Sequence, residues 1–343
     1  MTADVTTMPA RVPEAIEDDP GKPRRRRKAL FLLLLFLGLA LLLGLAIWYL
    51  LFRQPINPIP PIPATQIPAY STSLYGVTRP IGVAVSPSGD RIYVTQGSAT
   101  GVSVVLDDAG KTLATMTPPT STGTDHQPAY AAVDPISTEV YVTDRLAGTV
   151  YIYDKEGTFE RELVLSEPQP GWQPMALTFD AAGTLYVTDF SGPFQKVLVI
   201  DRDLNVVRTL GETANLNFPN GVAVDKAGTV YVTDSNNGRL VSFGSDGRGV
   251  VRIGRGAGQG NLGLPRGLAI DGSDRVFAVD TTGQGVLVYR ALNADEQVEY
   301  LGLFGTQGIA DGQFSFPTGI AIDAHGRVYV ADTFNDRVQL WSY

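Results

Sequence analysis

Short apolar runs alternate with polar turns over most of the chain, and they recur in one order. Each copy begins Pro-x-Gly or a close variant, continues as hydrophobic-Ala-hydrophobic-Asp, passes a short turn, and resumes as hydrophobic-Tyr-Val-Thr-Asp. Six copies lie between Arg79 and Trp341, and their anchor prolines are 45 to 52 residues apart: Pro80, Pro128, Pro174, Pro219, Pro265 and Pro317. A period of this size indicates one supersecondary unit per copy, stacked so that neighbours bury each other's apolar faces.

The fourth copy illustrates what each unit builds. Residues 222–224 and 230–233 are β-branched and aromatic runs, which favour strands. Asp225 and Gly228 between them suit a tight turn, so the two runs predict an antiparallel hairpin. A third and a fourth strand follow in each copy. Four antiparallel strands per unit, repeated six times, predict an all-β fold, a six-bladed β-propeller.

The ends of the chain predict how the ring closes. The last copy stops at Tyr343, just after its third strand, and lacks an outer strand. Residues 70–77, directly before the first Pro-x-Gly, can supply that strand and remove an exposed sheet edge. The propeller is therefore predicted to comprise residues 70–343.

The residues before the propeller have a different composition. Residues 29–52 contain no charge and are long enough for a transmembrane helix; a cleaved signal peptide is the alternative. Five basic residues, 24–28, precede the run, which predicts that residues 1–28 are cytoplasmic and the propeller extracytoplasmic. The polar segment 1–28 is predicted to be disordered, and the proline-rich segment 53–69 to be a semi-rigid linker. The localisation predicted is a single-pass cell-membrane protein.

Charge and residue usage narrow the chemistry. After Arg53 the chain carries 19 basic and 30 acidic residues, a net charge of −11, which opposes binding to nucleic acid. There is no cysteine, so disulfides and cysteine metal sites are excluded. The two histidines, His126 and His325, are too few for a multi-histidine zinc site. A calcium site of oxygen ligands stays open, although no cofactor is predicted.

The hairpin geometry places two sets of residues at one end of the ring, called here the Pro-x-Gly face. The x positions break the repeat, so they are the predicted ligand-binding residues, together with a nearby tryptophan: Met175, Asn220, Arg266, Thr318 and Trp172. The residues that end the second strand follow the repeat, and they are predicted to cap turns or to bond the next arginine: Asp144, Asp189, Asp234, Asp280 and Asp332, with Arg239 and Arg337. His126 is expected to be an exposed loop residue rather than a general base.

Residues 218–243 and 316–341 resemble NHL repeats, whose pattern is Pro-x-Gly-[Ile/Val]-Ala-[Val/Ile]-Asp followed by [Ile/Val]-Tyr-Val-[Ala/Thr]-Asp and Asn-x-Arg. The resemblance, which covers residues 79–341, implies a six-bladed ring. It extends to the membrane-anchored extracytoplasmic sensor propellers of bacterial Ser/Thr kinases, although the chain has no kinase domain. The first three copies depart from the pattern, because Gln96, Arg145-Leu146 and Phe190-Ser191-Gly192 stand where Asn-x-Arg is expected. Tyr130 in the second copy and Ala176 in the third also replace the glycine.

These features predict a membrane-tethered binding module that recognises a protein, a peptide or an envelope glycan on the Pro-x-Gly face. One alternative is a calcium-dependent hydrolase or lyase with its site in the channel, similar to the lactonases among related propellers. Another is a structural spacer or assembly protein without a ligand. No residue is assigned a catalytic role or a metal.

Overall fold

The computed structural model describes residues 22–52, 67–98, 101–119, 125–244, 247–255, 258–290 and 298–343. The chain divides into two units, Met1–Pro63 and Ala64–Tyr343. Most of the segment predicted to be disordered, residues 1–21, and most of the predicted linker, residues 53–66, lie outside the described residues.

The part of the first unit that the structure describes is the helix α1, Lys22–Phe52. It begins before the predicted Ala29, because lysine and arginine are good helix formers and Pro23 is tolerated in a first turn. Residues 22–28, the end of the segment predicted to be disordered, belong to α1 in the structure. The side chains of α1 that the structure describes, Lys28 and those of residues 30–44, are exposed. In the described part of the chain, no helix is both long and apolar enough to cross a membrane.

The second unit is a ring of six four-stranded antiparallel sheets among the described residues. Strand β1 is Ala69–Leu74. The first blade contains β2 (Pro80–Val85), β3 (Ile92–Gln96), β4 (Ser103–Leu106) and β5 (Thr112–Met116). The second contains β6 (Pro128–Val133), β7 (Val140–Asp144), β8 (Thr149–Tyr153) and β9 (Phe159–Glu162). The third contains β10 (Pro174–Phe179), β11 (Leu185–Asp189), β12 (Lys196–Ile200) and β13 (Val206–Leu210).

The remaining blades follow the same order. The fourth contains β14 (Pro219–Val224), β15 (Val230–Asp234), β16 (Arg239–Phe243) and β17 (Gly249–Ile253). The fifth contains β18 (Pro265–Ile270), β19 (Arg275–Asp280), β20 (Gly285–Arg290) and β21 (Glu299–Phe304). A short parallel pair follows, β22 (Thr306–Gln307) and β23 (Gln313–Phe314). The sixth blade contains β24 (Pro317–Ile322), β25 (Val328–Asp332) and β26 (Arg337–Ser342), with a 3-10 helix at Thr333–Asn335.

Strand β1 completes the sixth blade. It pairs antiparallel with β26, from Ala69 opposite Ser342 to Leu74 opposite Val338. The strand is where the sequence places it, but it begins one residue earlier than 70 and ends three residues before 77. Ile67, inside the predicted linker, already packs against the core between the fifth and sixth blades. The six innermost strands contact one another in sequence and return to the first, so the ring is closed.

The core lies between blades rather than at the centre of the ring. Each second strand contributes a buried aromatic residue to these junctions: Tyr93, Tyr141, Tyr186, Tyr231, Phe277 and Tyr329. Hydroxyl groups also join blades at the innermost strands. Thr95 Oγ1 donates to Ala129 O at 2.6 Å, and Thr143 Oγ1 donates to Met175 O at 2.7 Å. In the first, second and fourth blades, the threonine near the end of the second strand therefore links its blade to the next.

Close approach between blades explains the glycine of Pro-x-Gly. A Cβ atom on Gly82 would lie 2.6 Å from Ala129 O, and one on Gly319 would lie 2.5 Å from Ile81 O. Contacts this short exclude a side chain, so the pattern needs glycine where neighbouring strands approach in this way. The second and third blades carry Tyr130 and Ala176 there, which makes this part of the ring unlike the rest.

Candidate functional site at the Pro-x-Gly end of the channel

Buried carboxylates close the second strand of five blades at the Pro-x-Gly face, and each accepts a hydrogen bond from the loop that leads into its own innermost strand. The donors are Gln127 N to Asp144, Gln173 N to Asp189, Asn217 N to Asp234, Leu264 N to Asp280 and Ser315 N to Asp332. Gln96 replaces the carboxylate in the first blade and accepts from Thr78 N through its amide oxygen. These side chains fix the backbone of the face.

Two of the carboxylates also pair with arginine. Asp234 Oδ2 accepts from Arg239 Nε at 2.6 Å, and Asp332 Oδ2 accepts from Arg337 Nε at 2.8 Å. These are the pairs that the sequence places together. Because their acceptor oxygens are already occupied by protein donors, the arrangement is that of structural groups rather than of a cation site. Among the described residues, no cluster of three or more histidine, aspartate or glutamate side chains is arranged to hold a metal ion.

His126 takes the place of the arginine in the second blade. Its Nδ1 lies 2.9 Å from Asp144 Oδ2, its Nε2 lies 3.3 Å from Pro119 O, and its side chain is 12% exposed. The expectation of an exposed loop residue is therefore wrong, because a buried carboxylate holds the ring. Both ring nitrogens face an oxygen, so neither is free to exchange a proton with a ligand in this arrangement.

Three of the predicted ligand-binding residues lie inside the blade junctions. Met175, Asn220 and Thr318 are buried. Thr318 Oγ1 donates to Ile81 O at 2.6 Å, and Asn220 Nδ2 donates to Ser235 Oγ at 3.0 Å. The strand register is irregular just after the anchor proline of every blade, so strand alternation alone does not predict the direction of these side chains. They do not present a surface to a ligand.

Arg266 and Trp172 are more accessible. Arg266, the second residue of β18, is partly exposed. Its Nε is buried and has no hydrogen-bond partner among the described residues. Trp172 is partly buried and packs against the core cluster of the second to fourth blades. Of the predicted binding residues, Asn220 and Arg266 each have a buried polar atom without a hydrogen-bond partner among the described residues, Oδ1 in Asn220 and Nε in Arg266.

Tyr130 and Arg145, which were not assigned to the binding site from the sequence, lie with Arg266 at the Pro-x-Gly end of the channel. Burial raises the pKa of Tyr130 to about 12, and the positive charges of Arg266 and Arg145 act against that rise. Arg266 belongs to the fifth blade and Tyr130 to the second, which face each other across a six-membered ring. Charges from both sides therefore act on one phenol. The departure of Tyr130 and Arg145 from the repeat was the available signal.

Most side chains that line the other half of the channel are apolar, with Thr178 and Asp180 as polar exceptions. A cavity of 330 Å³ is lined by all six innermost strands, including Val83, Ala131, Leu177 and Val222. In each innermost strand, the first residue that lines the cavity directly follows Tyr130 or the residue equivalent to it in the Pro-x-Gly pattern. The polar groups and this cavity therefore occupy opposite ends of the channel.

The Pro-x-Gly face also exposes apolar side chains in its loops. We call the following residues the apolar rim: Leu146, Phe194, Ile309, Phe316 and Phe334, which are 58%, 65%, 82%, 44% and 54% exposed. Phe316 and Phe334 form an edge-to-face pair with ring centroids 5.1 Å apart, and the Arg79 guanidinium lies 5.4 Å from the Phe334 centroid. On the opposite face, the exposed large apolar side chains among the described residues are Ile136 and Tyr343.

The fold and the repeat together define the class of protein. A ring of six four-stranded blades, closed by pairing of its two ends, is a β-propeller. A sequence profile described as NHL repeat matches residues 216–243 and 314–340, in the fourth and sixth blades. The chain is a six-bladed β-propeller, and its fourth and sixth blades match the NHL repeat. No curated protein sequence matches it.

Solved structures with a similar ring include three structures of lyases. A streptogramin B lyase has a TM-score of 0.55 at 15% identity, covering 79% of this chain and 96% of that one. A virginiamycin B lyase from Staphylococcus aureus has a TM-score of 0.57 at 16% identity, covering 79% and 98%. A catalytically inactive histidine variant of the latter enzyme, with quinupristin, matches at 0.57 and 15% identity over the same shares. At these identities the likeness concerns the fold alone.

Proposed function

We propose that the chain is a membrane-tethered, extracytoplasmic binding module that docks a polypeptide on its Pro-x-Gly face. The observation that carries the proposal is the apolar rim, because exposed phenylalanine and leucine side chains concentrate on this face. Clustered exposed apolar groups are typical of interaction sites. The acidic propeller opposes nucleic acid as the partner.

The geometry of the rim supports a protein or peptide ligand over a glycan. Phe316, Phe334 and Arg79 pack on one another, so aromatic surface is presented with little side-chain freedom left to lose on binding. Aromatic and arginine side chains are also the types that dominate binding energy at protein interfaces.

The tether rests on the sequence. Residues 29–52 carry no charge, and the five basic residues before them favour the cytoplasmic side. Helix α1 includes the whole of this run. A propeller held outside the membrane in this way would meet envelope proteins or secreted peptides.

Binding on the rim predicts a selective loss of partner capture. The double variant Phe316→Ser/Phe334→Ser in the full chain is expected to reduce cross-linked capture from intact membranes at least tenfold, since two interface anchors are lost. The matched control is Leu113→Ser/Leu303→Ser, which removes exposed apolar side chains from the outer strands β5 and β21. Its capture is expected to match that of the natural chain. Equal capture by both variants, or a captured partner that is a glycan, would contradict the proposal.

The proposed topology can be measured because the natural chain contains no cysteine to react. Lys155→Cys lies in an exposed turn of the second blade, where the lysine side chain is 56% exposed. A membrane-impermeant maleimide is expected to label it in intact cells, whereas Thr7→Cys reacts only after lysis. Labelling of Thr7→Cys in intact cells, or of Lys155→Cys only after lysis, would refute the orientation.

A calcium-dependent hydrolase or lyase is the second candidate, and the lyase descriptions of the structural neighbours favour it. A ligand bound only by the native state stabilises it by about 2.7 kcal/mol at a hundredfold excess over Kd. For the binding module, we expect calcium or a chelator to leave the thermal midpoint of the full chain unchanged. A rise of several degrees with calcium would favour the enzyme. A chain that captures no partner and gains no stability from calcium would fit the third candidate, a structural spacer or assembly protein.

A further inference from the structure

Two arginines at the Pro-x-Gly end of the channel have no acidic partner. Neither Arg145 nor Arg266 forms an ion pair or a side-chain hydrogen bond with a described residue, and the Nε of each is buried without an acceptor. In the fourth and sixth blades, an arginine that follows the second strand pairs with the aspartate that ends it: Arg239 with Asp234, and Arg337 with Asp332. The two channel arginines are therefore not needed to neutralise the buried carboxylates of their blades.

This arrangement costs free energy in the absence of an anion. A buried N–H group without an acceptor loses the hydrogen bond that it makes to water, a penalty of about 1–3 kcal/mol. The two guanidinium groups carry like charge, and both act on the phenol of Tyr130 from opposite sides of the ring. Arg266 is the x residue of Pro-x-Gly in the fifth blade, and the x residue of the third blade is the buried, apolar Met175. Packing alone would favour an apolar residue at this position. The cost falls when an anion accepts hydrogen bonds from both arginines.

The donors match a carboxylate group. A planar guanidinium bonds a carboxylate through two parallel N–H groups, and a phenol can add a third donor. The surroundings favour a ligand of low charge, because the residues after Arg53 carry a net charge of −11 and repel a polyanion. The apolar rim on the same face fits aliphatic or aromatic neighbours of the acidic group.

We propose that Arg145, Arg266 and the Tyr130 hydroxyl group form a binding site for one carboxylate of a peptide ligand, with the residues that flank the carboxylate resting on the apolar rim. The site deepens the binding function proposed above and rests on it for the identity of the ligand as a polypeptide. Arg145 and Arg266 supply the charge, and Tyr130 closes the channel beneath the carboxylate.

The test uses the full chain in mild detergent at fixed ionic strength, with two capped peptides as probes: acetyl-Phe-Glu-Leu-amide and acetyl-Phe-Gln-Leu-amide. Binding is followed by calorimetry or by NMR shifts of the peptide. We expect the Glu peptide to bind at least tenfold more tightly than the Gln peptide. Arg145→Gln and Arg266→Gln are each expected to weaken the Glu peptide at least tenfold, and Tyr130→Phe about threefold, because charged hydrogen bonds contribute more than neutral ones. Arg208→Gln, on the outer strand β13, removes an equal charge away from the channel and is expected to change binding less than twofold.

A stability measurement separates a ligand role from a structural one. Because the side chain of neither arginine has a hydrogen-bond or ion-pair partner among the described residues, Arg145→Gln and Arg266→Gln are expected to leave the thermal midpoint unchanged or to raise it. A clear drop in the midpoint of both variants would show that the arginines hold the fold and would overturn the proposal. Equal binding of the Glu and Gln peptides would overturn it as well. Tighter binding of inorganic phosphate or glucuronate than of the Glu peptide would reject the peptide carboxylate.

Failure of this site and failure of the proposed function give different results. If partner capture is lost in Phe316→Ser/Phe334→Ser but persists in Arg145→Gln/Arg266→Gln, the rim binds a polypeptide and the carboxylate site is wrong. If the Glu peptide depends on both arginines while capture does not depend on the rim, the carboxylate site stands and docking on the rim is wrong.

Discussion

Asp332→Ala is expected to destabilise the propeller by about 3–5 kcal/mol, because it leaves the buried Arg337 with only the exposed carboxylate of Asp311, 3.6 Å away, as a counter-charge. Asp332 is fully buried and accepts hydrogen bonds from Ser315 N, Asn335 Nδ2, Arg337 Nε and Gln339 Nε2. Arg337 is itself 3% exposed. The loss would be measured by urea unfolding of the full chain in mild detergent, followed by tryptophan fluorescence.

The third blade supplies the matched control for this prediction. Asp189 is equally buried and ends the same strand, but the described bonds to its carboxylate come from two backbone groups, Gln173 N and Ser191 N. Asp189→Ala is therefore expected to cost about 1–3 kcal/mol, the penalty for unsatisfied neutral donors. In the sixth blade, adding Arg337→Met to Asp332→Ala should recover part of the loss, since the uncompensated charge is removed. Equal losses at Asp332 and Asp189, without recovery in the double variant, would contradict this account.

The sequence predicts the blades correctly because six copies of the repeat can be compared with one another. Each copy repeats one hairpin, so an ambiguity in one blade is resolved by the others, and the parity of two antiparallel strands places the proline and the aspartate at the same end. The Asp234–Arg239 and Asp332–Arg337 pairs follow from the same local spacing. Ring closure follows from one missing strand and one spare segment.

What it does not predict depends on contacts that the repeat does not encode. The side chains of Asn220 and Thr318 turn into blade junctions after an irregularity in strand register, which a pattern of alternating residues does not reveal. Tyr130 and Arg266 are 136 residues apart, and the charge of Arg266 acts on the Tyr130 phenol because the second and fifth blades oppose each other across the channel. The signal for Tyr130 was its departure from glycine, but its partner could not be named without the closed ring.

The largest packing effect is expected at Trp341, where the two ends of the chain meet. Trp341 is 5% exposed, and its ring lies 4.6 Å from the Phe304 centroid, 5.6 Å from Phe314 and 5.8 Å from Tyr70 of β1. Trp341→Ala removes the residue that all three contact and is expected to cost about 3–5 kcal/mol. Trp341→Phe keeps an aromatic ring and removes an indole N–H that is buried without a partner, so a loss of at most about 2 kcal/mol is expected.

The position of Trp341 predicts where the loss is felt first. Strand β1 is tied to the ring through β26, and Tyr70 is directly opposite Trp341 in that pairing. Hydrogen exchange of the Trp341→Ala variant is therefore expected to speed up most in the amides of Ala69–Leu74, before the other blades open. The distant buried core of the third blade, such as Val187 and Leu198, serves as the internal reference. If β1 and β11 lost protection equally, the ring would open as one unit, and Trp341 would not be the closing contact. If β1 kept its protection, the backbone pairing with β26 would hold the ring closed without the aromatic cluster.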